Sequence, residues 1–355
     1  MRYRILGKSG LRVSEISLGT MTFGEDWGWG ASKEDSRKQF DTFATAGGNF
    51  IDTADIYTNG TSEQYVGDFV RSDREHFVVA TKYANAHPGM APHHANSAGN
   101  HRKKMVESLN ASLKRMKLDY IDLYWVHIWD GITPVEETMR ALDDMIRAGK
   151  ILYVGVSDWP AWTIARANAI AELRGWSEFI AMQIEYSLIE RTPEQELIPL
   201  ARATDIGVTT WSPLGAGALT GKYTRGDRAR EGRIAQQEYQ RLTDRVIRIA
   251  KVVDEVADEL GVSSAQVALA WQLQTGEFIP IVGATKVSQI KDNLKATELT
   301  IPSELMDKLN EASRFELGFP QKFITNDFVA NLRHAGLVDQ IEPHRPDAGF
   351  TFSQR

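Results

Sequence analysis

Short apolar runs alternate with amphipathic segments along almost the whole chain. Residues 3–6 and 11–13 flank Gly7-Lys8-Ser9-Gly10, which predicts a hairpin with a Gly-bounded turn. Eight apolar runs follow, at residues 16–21, 49–52, 76–83, 120–127, 151–157, 181–186, 207–211 and 279–283. Between them lie segments of helical period. The first starts at Ser32, where Ser32-Lys33-Glu34-Asp35 has a capping-box pattern. Phe40, Phe43 and Ala44 share one of its faces, and Gly47-Gly48 ends it. Further helices are predicted from about Ser62, over 102–116, 134–148, 161–173, 193–204, 242–260 and 264–274, and from about Ser288. Apolar strands of this kind suit a parallel sheet covered by helices. Eight strand–helix units predict an α/β fold, a closed (β/α)8 TIM barrel, with a doubly wound open sheet as the alternative. We expect a single domain over residues 1–355, with the barrel over about 14–312. A C-terminal extension over about 313–355, with Phe315, Phe319, Phe323 and Phe328, is expected to wrap over the barrel mouth.

Composition narrows the class. The chain has 355 residues, 42% hydrophobic and 25% charged, the profile of a soluble globular protein. A net charge of −6 gives no basic surplus for neutralising phosphates, which argues against nucleic acid as a partner. With no cysteine, disulfides, thiolate metal sites and cysteine nucleophiles are excluded together. Residues 1–10 lack the apolar core of a signal peptide, and no apolar run approaches the length of a membrane span. A cytoplasmic location and no membrane partner are therefore expected; oligomeric state is left open.

Chemistry enters at the strand ends. In a barrel of this type, residues at the carboxyl ends of the strands gather at one mouth. Asp52 ends the second inner strand, where a buried carboxylate needs a cation or hydrogen-bond donors. Tyr57 stands five residues on, Lys82 ends the third strand and His127 the fourth. Lys82 supplies the cation that Asp52 needs. It also favours the phenolate of Tyr57, whose ordinary acidity is too weak for proton transfer at neutral pH. His127 can hydrogen-bond Tyr57 or a substrate oxygen. Together they form a candidate general-acid site, against the reading of a buried ion pair and two separately structural side chains.

These residues carry a resemblance. Residues 47–57, followed by Ser62-Glu63 and Gly67, are similar to the first signature of the aldo-keto reductases. Lys82 in Ala80-Thr81-Lys82, and His127 after Asp119-Tyr120-Ile121-Asp122-Leu123, complete that family's Asp-Tyr-Lys-His tetrad. The match runs from about Tyr3 to Ala312. Trp211-Ser212-Pro213-Leu214 is typical of the branch holding aryl-alcohol dehydrogenase-like reductases and potassium-channel β-subunits.

The resemblance implies an NADPH-dependent oxidoreductase that reduces aldehydes or ketones to alcohols, reversibly, with Tyr57 as the acid. It implies NADPH (NADP+) as cofactor and leaves NADH open. Ser157, Asp158 and Gln183 match positions that hold the nicotinamide carboxamide. The family often has Asn at Asp158, and an ionised Asp accepts from an amide but cannot donate to it. Trp211 matches the aromatic that stacks on the nicotinamide, against the alternative of a core tryptophan; Ser212, Pro213 and Leu214 go with it. The run from Gly215 to Lys222, including Gly217, matches the loop over the pyrophosphate. Read alone it has neither the Rossmann glycine spacing nor a P-loop, since Ala216 and Tyr223 stand at required positions. Gly283, Thr285, Lys286, Gln289, Asp292 and Asn293 match the adenosine end, where Lys286 could pair with a 2′-phosphate.

Phe23, Trp27, Trp29 and Trp129, with Trp159, lie in mouth-side loops and suggest a pocket for an aromatic or hydrophobic carbonyl substrate. His87, His93, His94 and His101 lack carboxylate or cysteine partners at ligand spacing, so no metal is expected. The other function class is a cofactor-binding, redox-sensing partner similar to channel β-subunits. The short segment before the hairpin favours the enzyme.

Overall fold

The structure, a computed structural model, describes residues 1–87, 94–226, 242–337 and 340–341. Strands β1 (Tyr3–Ile5) and β2 (Arg12–Ser14) form the expected antiparallel hairpin. Eight parallel strands then close on themselves: β3 (Ser17–Gly19), β4 (Phe50–Asp52), β5 (Val78–Tyr83), β6 (Ile121–Val126), β7 (Ile151–Ser157), β8 (Phe179–Glu185), β9 (Gly207–Trp211) and β10 (Phe278–Val282). Pairing of β10 with β3 shuts the barrel and removes the open-sheet alternative.

The helices around it are α1 (Lys33–Thr45), α2 (Thr61–Val70), α3 (Arg102–Met116), α4 (Val135–Arg147), α5 (Ala161–Arg174), α6 (Leu197–Thr204), α7 (Asp244–Leu260), α8 (Ser264–Thr275) and α9 (Val287–Leu294). Then come α10 (Ser303–Ser313), α11 (Gln321–Ile324) and α12 (Asp327–Arg333). Among the described residues no helix is long and apolar enough to cross a membrane. Local signals set several ends. Ser32 accepts the Asp35 N–H and caps α1, and Thr243 and Ser263 do the same for α7 and α8; such caps are worth about 1 kcal/mol each. The helix expected over 193–204 is split. Residues Thr192–Gln195 form a 3-10 turn, Glu196 leaves helical geometry, and α6 starts only at Leu197.

Strand alternation builds two cores. One face of each strand packs under the helices, through residues such as Ile51, Val79, Tyr83, Tyr124, Val154 and Met182. The other face fills the barrel with Phe50, Val78, Ala80, Leu123, Trp125, Ala181 and Ile279. Leu6 and Val13 of the hairpin join this inner cluster and plug the floor. Trp125 spans the lumen because Gly155 opposite has no side chain; a Cβ there would lie 2.4 Å from the indole. That packing closes the barrel below its mouth.

The C-terminal segment docks at one side of the rim. Gly318 N–H donates to Gln195 at 3.1 Å, Gln321 bonds Glu196, and Arg191 donates to Ser313. Phe319, Phe323 and Phe328 remain exposed. The run from Gly215 to Lys222 lies within the described residues, which continue to Gly226.

Candidate active site

The lumen-facing alternation continues past the inner cluster. Asp52 follows Phe50 by two residues, Lys82 follows Ala80, Ser157 follows Gly155, and Gln183 follows Ala181. Each therefore points into the barrel one layer above an apolar neighbour. Ser157 pairs in register with Gln183, and the Gln183 amide meets Asp52 across the lumen at 2.9 Å.

Lys82 sits at the centre and is fully buried. Its ammonium donates to Asp52 Oδ2 at 2.5 Å, to the Thr53 carbonyl at 2.8 Å and to the Tyr57 hydroxyl at 3.3 Å. Gln183 Nε2 donates to the other Asp52 oxygen at 2.9 Å. Burial alone would lower the Lys82 pKa, but Asp52 and Tyr57 outweigh it and hold it above its ordinary value. The lysine is thus a permanent cation whose last hydrogen bond ends on a phenol. The His127 ring lies 6.0 Å from the Tyr57 ring, nearly perpendicular to it. Burial and the Lys82 charge depress the His127 pKa well below its ordinary value, so the imidazole is neutral at pH 7. Its Nδ1 is buried without a protein partner.

The turn that presents Tyr57 is conformationally unusual. Thr58, Asn59 and Gly60 follow in succession in left-handed geometry, with φ of 45°, 54° and 95°. Non-glycine residues adopt that region at a cost. Here Thr58 Oγ1 donates to the Phe23 carbonyl at 2.6 Å and accepts the Ser62 N–H at 3.0 Å. Ser62 also donates to Thr20, and Thr20 donates to the Asp52 carbonyl. Behind the turn, Arg115 pairs with Glu63 at 2.6 Å and Lys104 stands 4.0 Å from Asp55. This backing set was missed by sequence reasoning. The detectable signal was Lys104 and Arg115, eleven residues apart and so on one face of α3.

The residues expected to hold a dinucleotide divide. The Ser157 hydroxyl is buried beside the Asp158 carboxyl without a well-formed hydrogen bond, so it can turn toward a ligand. Asp158 faces the mouth and accepts the Trp211 indole N–H at 3.0 Å. Trp211 is half-buried at the rim and Ser212 beside it is left-handed, while Pro213 is buried and Leu214 is half-buried. Gly217 (φ 98°) lies under Lys222, whose Nζ would be 2.7 Å from a Cβ there. A side chain would fill that cradle, so the bare backbone and the cation together fit a phosphate. Gly283, Thr285 and Lys286 are exposed. Gln289 turns back and accepts the Thr285 and Lys286 N–H groups, capping α9. Asp292 is committed to Ser263 and Gln266 of α8, both at 2.6 Å, and Asn293 is buried. The donor set otherwise fits a nicotinamide dinucleotide.

The aromatic loops also divide. Trp27 and Trp29 pack at 5.6 Å and are half-buried, and Trp129 meets Trp162 edge-on at 5.9 Å. Phe23 corrects the expectation: it is fully buried and packs edge-on against Phe69, below any pocket. Trp159 is likewise a core residue, against Phe179. His101 accepts the Lys104 N–H and caps α3. His94 donates its backbone N–H to Ser97. Burial, with Lys104 and Arg115, pushes His87 down to about 4. His93 lies outside the described residues.

Comparison with known proteins agrees with this architecture. The family model described as "Aldo/keto reductase family" matches residues 15–314. The chain is 36% identical to a norsolorinic acid reductase of Aspergillus flavus, over 91% of this chain and 84% of that protein. It is 35% identical to an aryl-alcohol dehydrogenase [NADP(+)] of Phanerodontia chrysosporium, over 93% and 91%. It is 38% identical to a probable voltage-gated potassium channel subunit beta of Oryza sativa subsp. japonica, over 87% and 95%.

Proposed function

This chain belongs to the aldo/keto reductase family, and we propose that it is an NADPH-dependent carbonyl reductase whose general acid is Tyr57. Membership makes it an NAD(P)H-dependent aldo-keto reductase. The observation that carries the finer reading is the Lys82 ammonium, shared between Asp52 and the Tyr57 hydroxyl inside the barrel.

When bound, the nicotinamide supplies a hydride to the carbonyl carbon. The chain supplies a proton to the oxygen. Tyr57 gives its hydroxyl proton as negative charge grows on the substrate oxygen, and Lys82 stabilises the phenolate left behind. Asp52 and the Thr53 carbonyl hold the ammonium in place, so this stabilisation is present before substrate arrives. Neutral His127 has a ring N–H to donate, and it orients the carbonyl oxygen toward Tyr57. In the oxidation direction the same phenolate removes the alcohol proton.

Exposed Lys286 at the start of α9 favours a cofactor with an added 2′-phosphate, hence NADPH. The relative whose name includes NADP(+) supports that choice. The rim tryptophans favour an aromatic or hydrophobic carbonyl, in keeping with relatives named for aryl alcohols and norsolorinic acid. NADPH consumption with a panel of aromatic aldehydes, ketones and sugars tests this, beside Tyr57→Phe. Turnover should fall by about 10²- to 10⁴-fold in the variant, with NADPH binding kept. Equal rates would remove Tyr57 from the reaction. The channel-subunit relative carries a second reading, a cofactor-holding partner protein. Tight NADPH binding with no turnover across the panel would favour it.

A further inference from the structure

The proton-transfer scheme leaves one charged group at the mouth unused: the carboxylate of Asp158. It follows Ser157 at the end of β7 in left-handed geometry, φ 51°. Asp is among the few side chains that tolerate this region. Its backbone N–H donates to the Gln183 carbonyl at 3.3 Å, and its Oδ1 accepts the Trp211 indole N–H at 3.0 Å. One oxygen is thus pinned to the aromatic plate, while the side chain stays open to the mouth. Its charged neighbours are Glu185 on β8 and Lys82 on β5. Desolvation by the neighbouring walls pushes its pKa up to about 6, with hydrogen bonds from Trp211 and Ser157 pulling the other way. It is ionised at pH 8 and takes up a proton as the pH falls through about 6.

The groups around it make the ionised form usable. A carboxamide offers one acceptor oxygen and two N–H donors. The Ser157 hydroxyl is buried beside the Asp158 carboxylate, and it can turn from that oxygen to donate to a carboxamide. Gln183 has given an amide N–H to Asp52, so its Oε1 is left as an acceptor. Asp158 supplies the second acceptor. The set is complete with Asp158 ionised, and the outcome is a full negative charge beside the nicotinamide. That ring is cationic when oxidised and neutral when reduced.

We propose that Asp158 selects the redox state of the cofactor, its carboxylate favouring the oxidised, cationic nicotinamide over the reduced one. This rests on the cofactor reading given above. A neutral amide at this position would hydrogen-bond the carboxamide without discriminating between the two states. With Asp158, oxidised cofactor is retained and its release slows, while the solution equilibrium of the reaction is unchanged. The size expected of one partly screened ion pair is about tenfold in affinity.

Binding of NADP+ and NADPH to the full chain and to Asp158→Asn, followed by quenching of tryptophan fluorescence, tests this without turnover. At pH 8 the variant should bind NADP+ about tenfold more weakly and NADPH nearly as well as wild type. Lowering the pH to 5.5 should narrow the NADP+ gap between the two proteins to about threefold, because Asp158 takes up a proton in the free protein; comparing proteins at each pH cancels titration of the cofactor's own phosphate. Asp158→Ser, also neutral, should repeat the loss of preference. If both variants and wild type bind both cofactors with the same NADP+ to NADPH ratio at pH 8, the proposal fails while the cofactor reading stands. If wild type binds neither cofactor, both fail.

Discussion

Lys82→Met tests the centre of the site most severely. Methionine fills a similar volume but leaves Asp52, 2% exposed, with the Gln183 amide as its remaining side-chain partner. An uncompensated buried charge costs about 3–5 kcal/mol. The variant has one escape, because Asp52 can take up a proton. From a reference value near 3.9, that costs ~4 kcal/mol at pH 7 but only ~1.5 kcal/mol at pH 5. The loss relative to wild type should therefore be about 3–4 kcal/mol at pH 7 and about 1.5 kcal/mol at pH 5. The sign follows from linkage. In the variant the folded carboxyl titrates above its unfolded value, so stability present at low pH is lost as pH rises. Urea unfolding at both pH values, followed through the nine tryptophans, measures this. Asp52→Asn combined with Lys82→Met leaves no buried charge. It should recover most of the stability, with carbonyl reduction still down by about 10²-fold or more. A Lys82→Met protein as stable as wild type at pH 7, or one whose loss is the same at both pH values, would refute the reasoning.

Two further outcomes follow from the walls of the site. Burial, with Glu63 beside it, pushes Asp55 up to about 7. A carboxyl raised in the folded state contributes stability at low pH that is lost as pH rises through 7. Asp55→Asn should match wild type near pH 4.5 and exceed it by up to about 3 kcal/mol at pH 8; parallel thermal-unfolding profiles would contradict the assignment. Gly67 lets α2 lie on the end of α3, since a Cβ there would come within 2.1 Å of the Met116 carbonyl oxygen. Gly67→Ala should cost about 1–3 kcal/mol in urea unfolding, and an unchanged midpoint would mean that the helices separate freely.

The barrel and the Lys82–Asp52 pair were legible in the sequence because both follow from local pattern. Eight apolar runs bounded by helical segments fix the architecture, and Asp52 in a strand announces its need for a cation. Partners distant in sequence were less legible. Gln183 was assigned to a cofactor alone, yet one of its amide N–H groups also braces Asp52, 131 residues away. Phe23 and Trp159 were taken for pocket residues because position beside a loop does not say which way a ring points. Both turn inward, where an aromatic side chain buries more surface than any rim offers. Asp292 matched an adenosine contact by position, but it satisfies Ser263 and Gln266 at the start of α8. The break before α6 was missed although Pro193 lies within the expected helix, because proline is also compatible with a helix start.

The arrangement separates what must be rigid from what can vary. Tyr57, the proposed acid, stands at the head of a turn with three consecutive left-handed residues, and strain of about 1–3 kcal/mol per non-glycine residue persists only if the surroundings enforce it. The enforcement comes from three directions. Thr58 is pinned to the loop before α1 and to the first turn of α2, Ser62 ties that turn to Thr20, and Arg115 on α3 packs against Gly60 while pairing with Glu63. Lys104 and Arg115 therefore serve the acid without approaching it. The tryptophans at the rim carry no such bracing from buried ion pairs. Trp27 packs on Trp29 and Trp129 on Trp162, contacts that tolerate exchange of one ring for another, while the loop backbones are held by Ala31 bonds to Thr22 and Gly24 and by Asp130 bonds with Asn100 and Thr133. On the proposed reading, substrate range can change at those rings while the Tyr57 turn, locked from behind, keeps its chemistry.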